Sequence, residues 1–187
     1  MHGGTVDASD AQLISAVAEG DKHAFELLYH SYFPRLTRFL QGMTRNAQLI
    51  EEIVNDTMLV VWNKAYSFDR TCKPSTWVFA IAYRTACKAV RALDEPVEAD
   101  PGLLEACTED GPEHELGRHR LRHAVGAALE HLPVAQATVV RLAYHHDMGY
   151  ADIAAVLDCP VNTVKTRMFH ARQRLKELLA GYLEEKV

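Results

Sequence analysis

The segment VNTVKTRMFHARQRL, residues 161–175, gathers Lys165, Thr166, Arg167, Phe169, His170, Gln173 and Arg174 into one short run. Ammonium and guanidinium groups bind phosphate oxygens, and the tips of Thr, His and Gln exchange hydrogen bonds with base edges. That chemistry needs the tips on one face of a rigid rod. At about 100° per residue, Val164, Met168, Ala171 and Leu175 share a face that must be buried. Asn162, Thr166, Phe169, His170 and Gln173 point the other way, and Lys165, Arg167, Arg172 and Arg174 flank them. A second helix, YADIAAVL, has to hold this rod. Ala154 is small where the two helices approach, and Asp158 stands four residues later at the turn. Such turns often require a positive φ, which Asp tolerates better than most residues. Val164 follows six residues on, to plug the core. Pro160 cannot continue the first helix, and Asn162 or Thr163 can cap the second. The spacing is that of a helix-turn-helix, and the joint pattern favours DNA binding over an ordinary solvated face.

Two helices of the first half carry further surface chemistry. LIEEIVNDTMLVVWNKAY puts Ile50, Val54, Met58, Val61 and Ala65 on one face and Glu52, Asn55, Asp56, Leu59 and Asn63 on the other. Acids and amides around an exposed leucine suit a protein-docking face. STWVFAIAYRTACKAVR sets Arg84, Lys88 and Arg91 at i, i+4 and i+7, with Trp77 and Ile81 preceding them on nearly the same side. Cations beside an aromatic ring suit a nucleic-acid strand whose bases stack. Core packing of Trp77 accounts for that residue equally well. His119 and His123, at i and i+4, are a candidate metal pair, but the ligand set is incomplete and a solvated helix start is the preferred reading. No metal or other cofactor is expected. There is no nucleophile–base pair, Gly-rich phosphate loop or metal-ligand motif, so the sequence does not suggest an enzyme.

The elements that position these faces are helical throughout, so the fold class is all-α. Leu13, Ile14 and Val17 repeat at helical spacing, and Gly20 ends that helix. Asp21 caps a second helix, near whose middle Pro34 predicts a break or kink. A third helix runs from about Ala47 to Tyr66. The loop SFDRTCKPS follows, and Ser75 caps a fourth helix running to Ala92. Further helices are predicted over Leu121–Leu132, Val134–Tyr144, Tyr150–Leu157 and Thr163 to about Leu183.

The net charge of −5 is unevenly spread. Residues 10–92 hold ten Lys/Arg against eight Asp/Glu, and residues 118–187 ten against seven. Residues 93–117 hold nine acids, no base, and Pro96, Pro101 and Pro112. That strip predicts an acidic, flexible linker between two small helical domains at 10–92 and 118–187. The N-terminal MHGGTVDASD lacks the pattern of a signal peptide, and no apolar run suits membrane insertion. Cys72, Cys87, Cys107 and Cys159 form no CxxC pair, which fits reduced thiols and a cytoplasmic setting.

In their order, these pieces resemble the extracytoplasmic-function (ECF) group of RNA polymerase sigma factors. GDKHAFELLYHSY, IEEIVNDTMLVVWNKAYSF and STWVFAIAYRTACKAVR come before the acidic strip, and LEHLPVAQATVVRLAYHHDMGYADIAAVLDCPVNTVKTRMFHARQRL after it. The resemblance implies that residues 10–92 are sigma region 2, which docks on core RNA polymerase and reads and opens the minus-ten promoter element. Residues 118–187 would be region 4, whose helix-turn-helix reads the minus-thirty-five element. Carried over by position, Glu52, Asn55, Asp56, Leu59 and Asn63 fall on the polymerase-docking helix. Phe68, Arg70, Lys73, Ser75, Trp77, Arg84, Lys88 and Arg91 fall along the minus-ten strand. Asn162, Thr163, Lys165, Thr166, Arg167, Phe169, His170, Gln173 and Arg174 fall on the minus-thirty-five duplex. The resemblance also implies an anti-sigma factor as a controlling partner. The sequence departs from the family's pattern at Asp158 and Asn162, where Gly is usual, at Arg84, where Asn is frequent, and at His170, where Arg is. The rival reading is a stand-alone helix-turn-helix regulator, which would leave the Glu52–Asp56 face and the Phe68–Ser75 loop without a purpose.

Overall fold

A computed structural model describes residues 3–92 and 124–184, with side chains described over 9–92 and 124–180. Every regular element among the described residues is helical. They are α1 (Gly3–Ala18), α2 (Lys22–Leu40), α3 (Ala47–Lys64), a 3-10 turn (Ala65–Ser67), α4 (Pro74–Ala92), α5 (124–130), α6 (Val134–His145), α7 (Tyr150–Leu157) and α8 (Val161–Glu184). The expected acidic linker at 93–117, with Cys107 and His114, lies outside the described residues, as do His119 and His123.

Local chemistry sets most boundaries. Gly20 closes α1 with φ +91°, a conformation that costs glycine little. The Asp21 carboxylate then accepts from the amides of His23 at 2.8 Å and Ala24 at 3.1 Å, capping α2. Asn46 caps α3 in the same way, accepting from the Leu49 amide at 3.1 Å. The sequence reading passed over Asn46, although an Asn directly before an apolar-periodic run is a usual start signal.

Three boundary expectations are corrected. Pro34 does not break its helix: α2 runs through it to Leu40. An internal proline costs about 3 kcal/mol, but Leu28, Tyr32, Leu36, Phe39 and Leu40 are all buried along this one helix. Each such side chain stabilises by about 1.5–3 kcal/mol, so the packing wins. Ser75 is not the cap of α4. The helix begins at Pro74, whose missing amide hydrogen and fixed φ suit the first helical position, and Ser75 is buried in the first turn. Likewise α8 begins at Val161, with the amides of Thr163 and Val164 reaching the Pro160 carbonyl, so Asn162 and Thr163 lie inside the helix instead of capping it.

The face of α3 predicted to be buried is buried, at Ile50, Val54, Met58, Val61 and Ala65. It packs on α2 and α4, and α1 closes over the group. Asp10 anchors α1. Its carboxylate accepts from the buried Tyr32 hydroxyl at 2.7 Å and lies 3.7 Å from the Arg35 guanidinium. Burial and then the Asp10 charge push the Tyr32 hydroxyl well above its usual pKa. In the second half, α6, α7 and α8 enclose Leu142, Ile153, Val156, Val164, Met168 and Ala171.

The two halves pack on one another, α4 against α7 and α2 against α6, and their apolar residues form one continuous cluster. His146 is the wedge. Its ring centroid lies 4.6 Å from that of Phe79 and 6.2 Å from that of Phe39. Arg45 pairs with Glu130 at 3.3 Å, and Lys73 with Asp152 at 3.2 Å. Gly42 lets Arg141 lie directly against the backbone, since any Cβ there would collide with the guanidinium.

Candidate nucleic-acid interface

The helix-turn-helix is built as its spacing requires. α7 ends at Asp158, whose backbone is left-handed at φ 50° and ψ 54°. The Cys159 amide returns to the Ala154 carbonyl at 3.1 Å, which closes the turn. Ala154 is buried beside it, and Val164, Met168 and Ala171 of α8 are sealed in the core. This fixes the opposite face. Asn162, Lys165, Thr166, Phe169, His170, Gln173 and Arg174 are exposed, and Thr163 and Arg167 are half-buried at its edge. Phe169, a large apolar ring, is 59% exposed. Its centroid stands 5.5 Å from that of His170. The Thr166 hydroxyl donates to the Asn162 carbonyl at 2.9 Å, which turns it back onto its own helix. Arg172 donates to the Tyr144 hydroxyl at 2.9 Å, an interaction that raises its already high pKa and aims the guanidinium from α6. Tyr144 was missed by the sequence reading. It lies on another helix, and no spacing rule links it to α8.

In the first half, the loop after α3 is fixed by its own polar groups. Asp69 accepts from the Thr71 amide at 2.9 Å and hydroxyl at 2.7 Å, which holds its pKa below the usual carboxylate value. Arg70 is left-handed at φ 62° and donates to the Ser15 hydroxyl of α1 at 2.9 Å. The Phe68 and Trp77 rings pack at a tilt, with centroids 5.4 Å apart and an interplanar angle of 47°. Trp77 is therefore half-buried packing and also a cavity wall. With Val60, Lys64, Ser67, Ile81, Arg84 and Thr85 it lines a hollow of about 350 Å³ between α3 and α4. Lys64 was not singled out in the sequence; a basic residue ending one helix beside the Arg84 stripe of another was the available signal. Arg84, Lys88 and Arg91 are all exposed. Lys73 is exposed but paired with Asp152, and Ser75 is buried, so neither presents a free group in this arrangement.

Glu52, Asn55, Asp56, Leu59 and Asn63 are exposed together on the outer face of α3, with Leu59 57% exposed. Asn55 accepts from the Tyr29 hydroxyl of α2 at 2.8 Å, which orients its amide. Among the described residues, no group of three or more His, Cys, Asp or Glu is placed to hold a metal, and no helix is long and apolar enough to cross a membrane.

Comparison with known proteins fits both halves. The family model for sigma-70 region 2 matches residues 28–95, and that for sigma-70 region 4 matches residues 122–175. The RNA polymerase sigma-H factor of Pseudomonas aeruginosa is 28% identical, over 94% of this chain and 96% of its own. The ECF RNA polymerase sigma-E factor of Haemophilus influenzae is 28% identical, over 90% and 94%. The chain belongs to the ECF group of RNA polymerase sigma factors. Among solved structures, the sigma factor RpoE of Bartonella quintana, in complex with the anti-sigma factor NepR, aligns with a TM-score of 0.62 at 25% identity, covering 83% of this chain and 96% of that one. CnrH, in complex with the cytosolic domain of CnrY, aligns at 0.67 and 22% identity, over 92% and 98%, and shares the fold. As a sigma factor, the protein is a transcription initiation factor that binds core RNA polymerase and directs it to promoters.

Proposed function

We propose how the labour is divided along this sigma factor. Residues 10–92 act as region 2, residues 93–117 as the linker, and residues 118–187 as region 4. Glu52, Asn55, Asp56, Leu59 and Asn63 meet core polymerase. Phe68, Arg70, Lys73, Ser75, Trp77, Arg84, Lys88 and Arg91 serve the minus-ten strand. Asn162, Thr163, Lys165, Thr166, Arg167, Phe169, His170, Gln173 and Arg174 serve the minus-thirty-five duplex. The observation that carries this reading is the sorting of α8, with Val164, Met168 and Ala171 buried and Phe169 and His170 exposed between cations.

No bond is made or broken by this protein. Polymerase performs the phosphoryl transfer, and the sigma factor supplies binding free energy. Each base drawn out of the stack costs a few kcal/mol, which the Phe68–Trp77 region and its cations offset. The setting is cytoplasmic, where polymerase and promoter are. A protein inhibitor of the anti-sigma class controls it, by analogy with the Bartonella relative's complex with NepR. A stand-alone regulator would make no use of the exposed Leu59 face. The test is run-off transcription from genomic fragments with core polymerase: promoter-specific transcripts appear only when the protein is added. Their absence, with tight duplex binding by the free protein, would sink this reading in favour of the regulator.

A further inference from the structure

Asp152, third residue of α7, turns its carboxylate away from its own half and into the start of α4. Its Oδ2 lies 3.2 Å from Lys73 Nζ, and its Oδ1 accepts from the Thr76 hydroxyl at 3.1 Å. Thr76 sits in the first turn of α4, at the positive end of the helix dipole. An ammonium, a hydroxyl and a helix N-terminus together are what a phosphate group seeks. The seat is filled here by a carboxylate from the other half of the molecule. It adjoins Trp77 and the Asp69–Lys73 loop.

The closed arrangement cannot persist on a promoter. The two promoter elements lie 25 base pairs apart by their own numbering, about 85 Å at about 3.4 Å per base pair. A compact chain of 187 residues has a radius of gyration of about 16 Å. The α4–α7 contact must therefore part before both elements are held, and parting empties the seat.

We infer that Asp152 is a built-in phosphate mimic: it occupies, between Lys73 and Thr76, the position that a backbone phosphate of the opened minus-ten strand takes once the halves separate. The inference rests on the assignment of the 68–75 loop to that strand. It adds Thr76 to the strand-binding residues. It also gives the free protein a reason to ignore single-stranded DNA, because strand and Asp152 compete for one seat.

The test measures binding of the full-length free protein to a fluorescein-labelled 20-nucleotide single strand of random sequence, across a salt series. Asp152→Asn keeps the shape and removes the charge. It is expected to tighten binding roughly threefold to fivefold, the scale of one partly exposed ion pair, and to steepen the log–log salt dependence by about 0.7, one phosphate on a single strand. Adding Lys73→Gln to Asp152→Asn should abolish both changes, and adding Thr76→Val should reduce the gain in affinity without restoring the wild-type slope. An unchanged affinity and slope for Asp152→Asn, or a gain that survives Lys73→Gln, overturns the mimic. If Asp152→Asn fails to fold, as judged by thermal melting, Lys73→Gln alone replaces it. Lys73 is exposed, and its loss should lower the salt slope of the polymerase–promoter complex by one phosphate; an unchanged slope is equally fatal. Wild-type run-off transcription accompanies every arm. Active run-off with a failed Asp152 result removes only the mimic, whereas absent run-off removes the sigma assignment of the loop.

Discussion

Among the described residues, His146 carries the clearest pH signature. Burial, followed by the Arg35, His145 and Arg38 charges, lowers its pKa from 6.5 to about 4. Its Nε2 is buried without a hydrogen-bond partner, so the ring is held neutral between Phe39 and Phe79. The folded pKa lies below the unfolded one, so the unfolded state binds more protons between them and stability rises with pH in that window. The wedge is fully stabilising above about pH 6.5 and weakens progressively towards pH 4. His145, lowered by burial and by Arg141 and Arg38, adds in the same direction. Melting temperature should fall between pH 7 and pH 5, and His146→Leu should flatten much of that slope; an unaltered slope in the variant refutes the assignment. In the proposed division of labour, His170 is the residue on which base preference turns. It has shorter reach than Arg and lacks the bidentate fork. His170→Arg should shift promoter preference towards guanine contacts while leaving melting unchanged, as read by selection from a promoter library.

At the scale of elements, the long amphipathic helices were legible and their junctions less so. The α3 stripe and the α8 core face follow from periodicity, because burial of one face dominates every other term. Pro34 does not end its helix because its cost is local, whereas the compensating burial of Tyr32 and Leu36 is not visible in one helix. Ser75 misled because Pro74 outranked it as a helix start. The buried and exposed sides of α3 should behave differently on mutation. Met58→Ala should cost about 2–5 kcal/mol, seen as a lower denaturant midpoint. Leu59→Arg should change stability by no more than about 0.5 kcal/mol yet reduce affinity for core polymerase at least tenfold, measured by competition with the wild-type protein. Wild-type affinity for core polymerase in Leu59→Arg would mean that α3 has no dedicated docking face.

At the scale of the whole molecule, the two halves are clasped by His146, the Arg45–Glu130 and Lys73–Asp152 pairs, and the close approach of Arg141 to Gly42. Dyes on exposed sites such as Gln48 of α3 and Lys176 of α8 should report a short distance in the free protein and a much longer one with polymerase and promoter DNA. Glu130→Lys, which puts a cation opposite Arg45 and near Arg141, should lengthen the free-state distance. A free-state distance equal to the promoter-bound one would rule out the clasp. The sequence by itself determined the all-α class, the helix-turn-helix, the positive φ at Asp158 and the identity of the exposed α8 face. All of these depend on interactions within about four residues or on a single periodicity. Only the tertiary structure decided that Trp77 packs against Phe68, that Tyr144 aims Arg172, that Lys64 lines a cavity with Arg84, and that Asp152 reaches Lys73 and Thr76. Those contacts join residues up to 79 positions apart. Their pairing is set by how the helices pack around a shared core, and no local spacing encodes it.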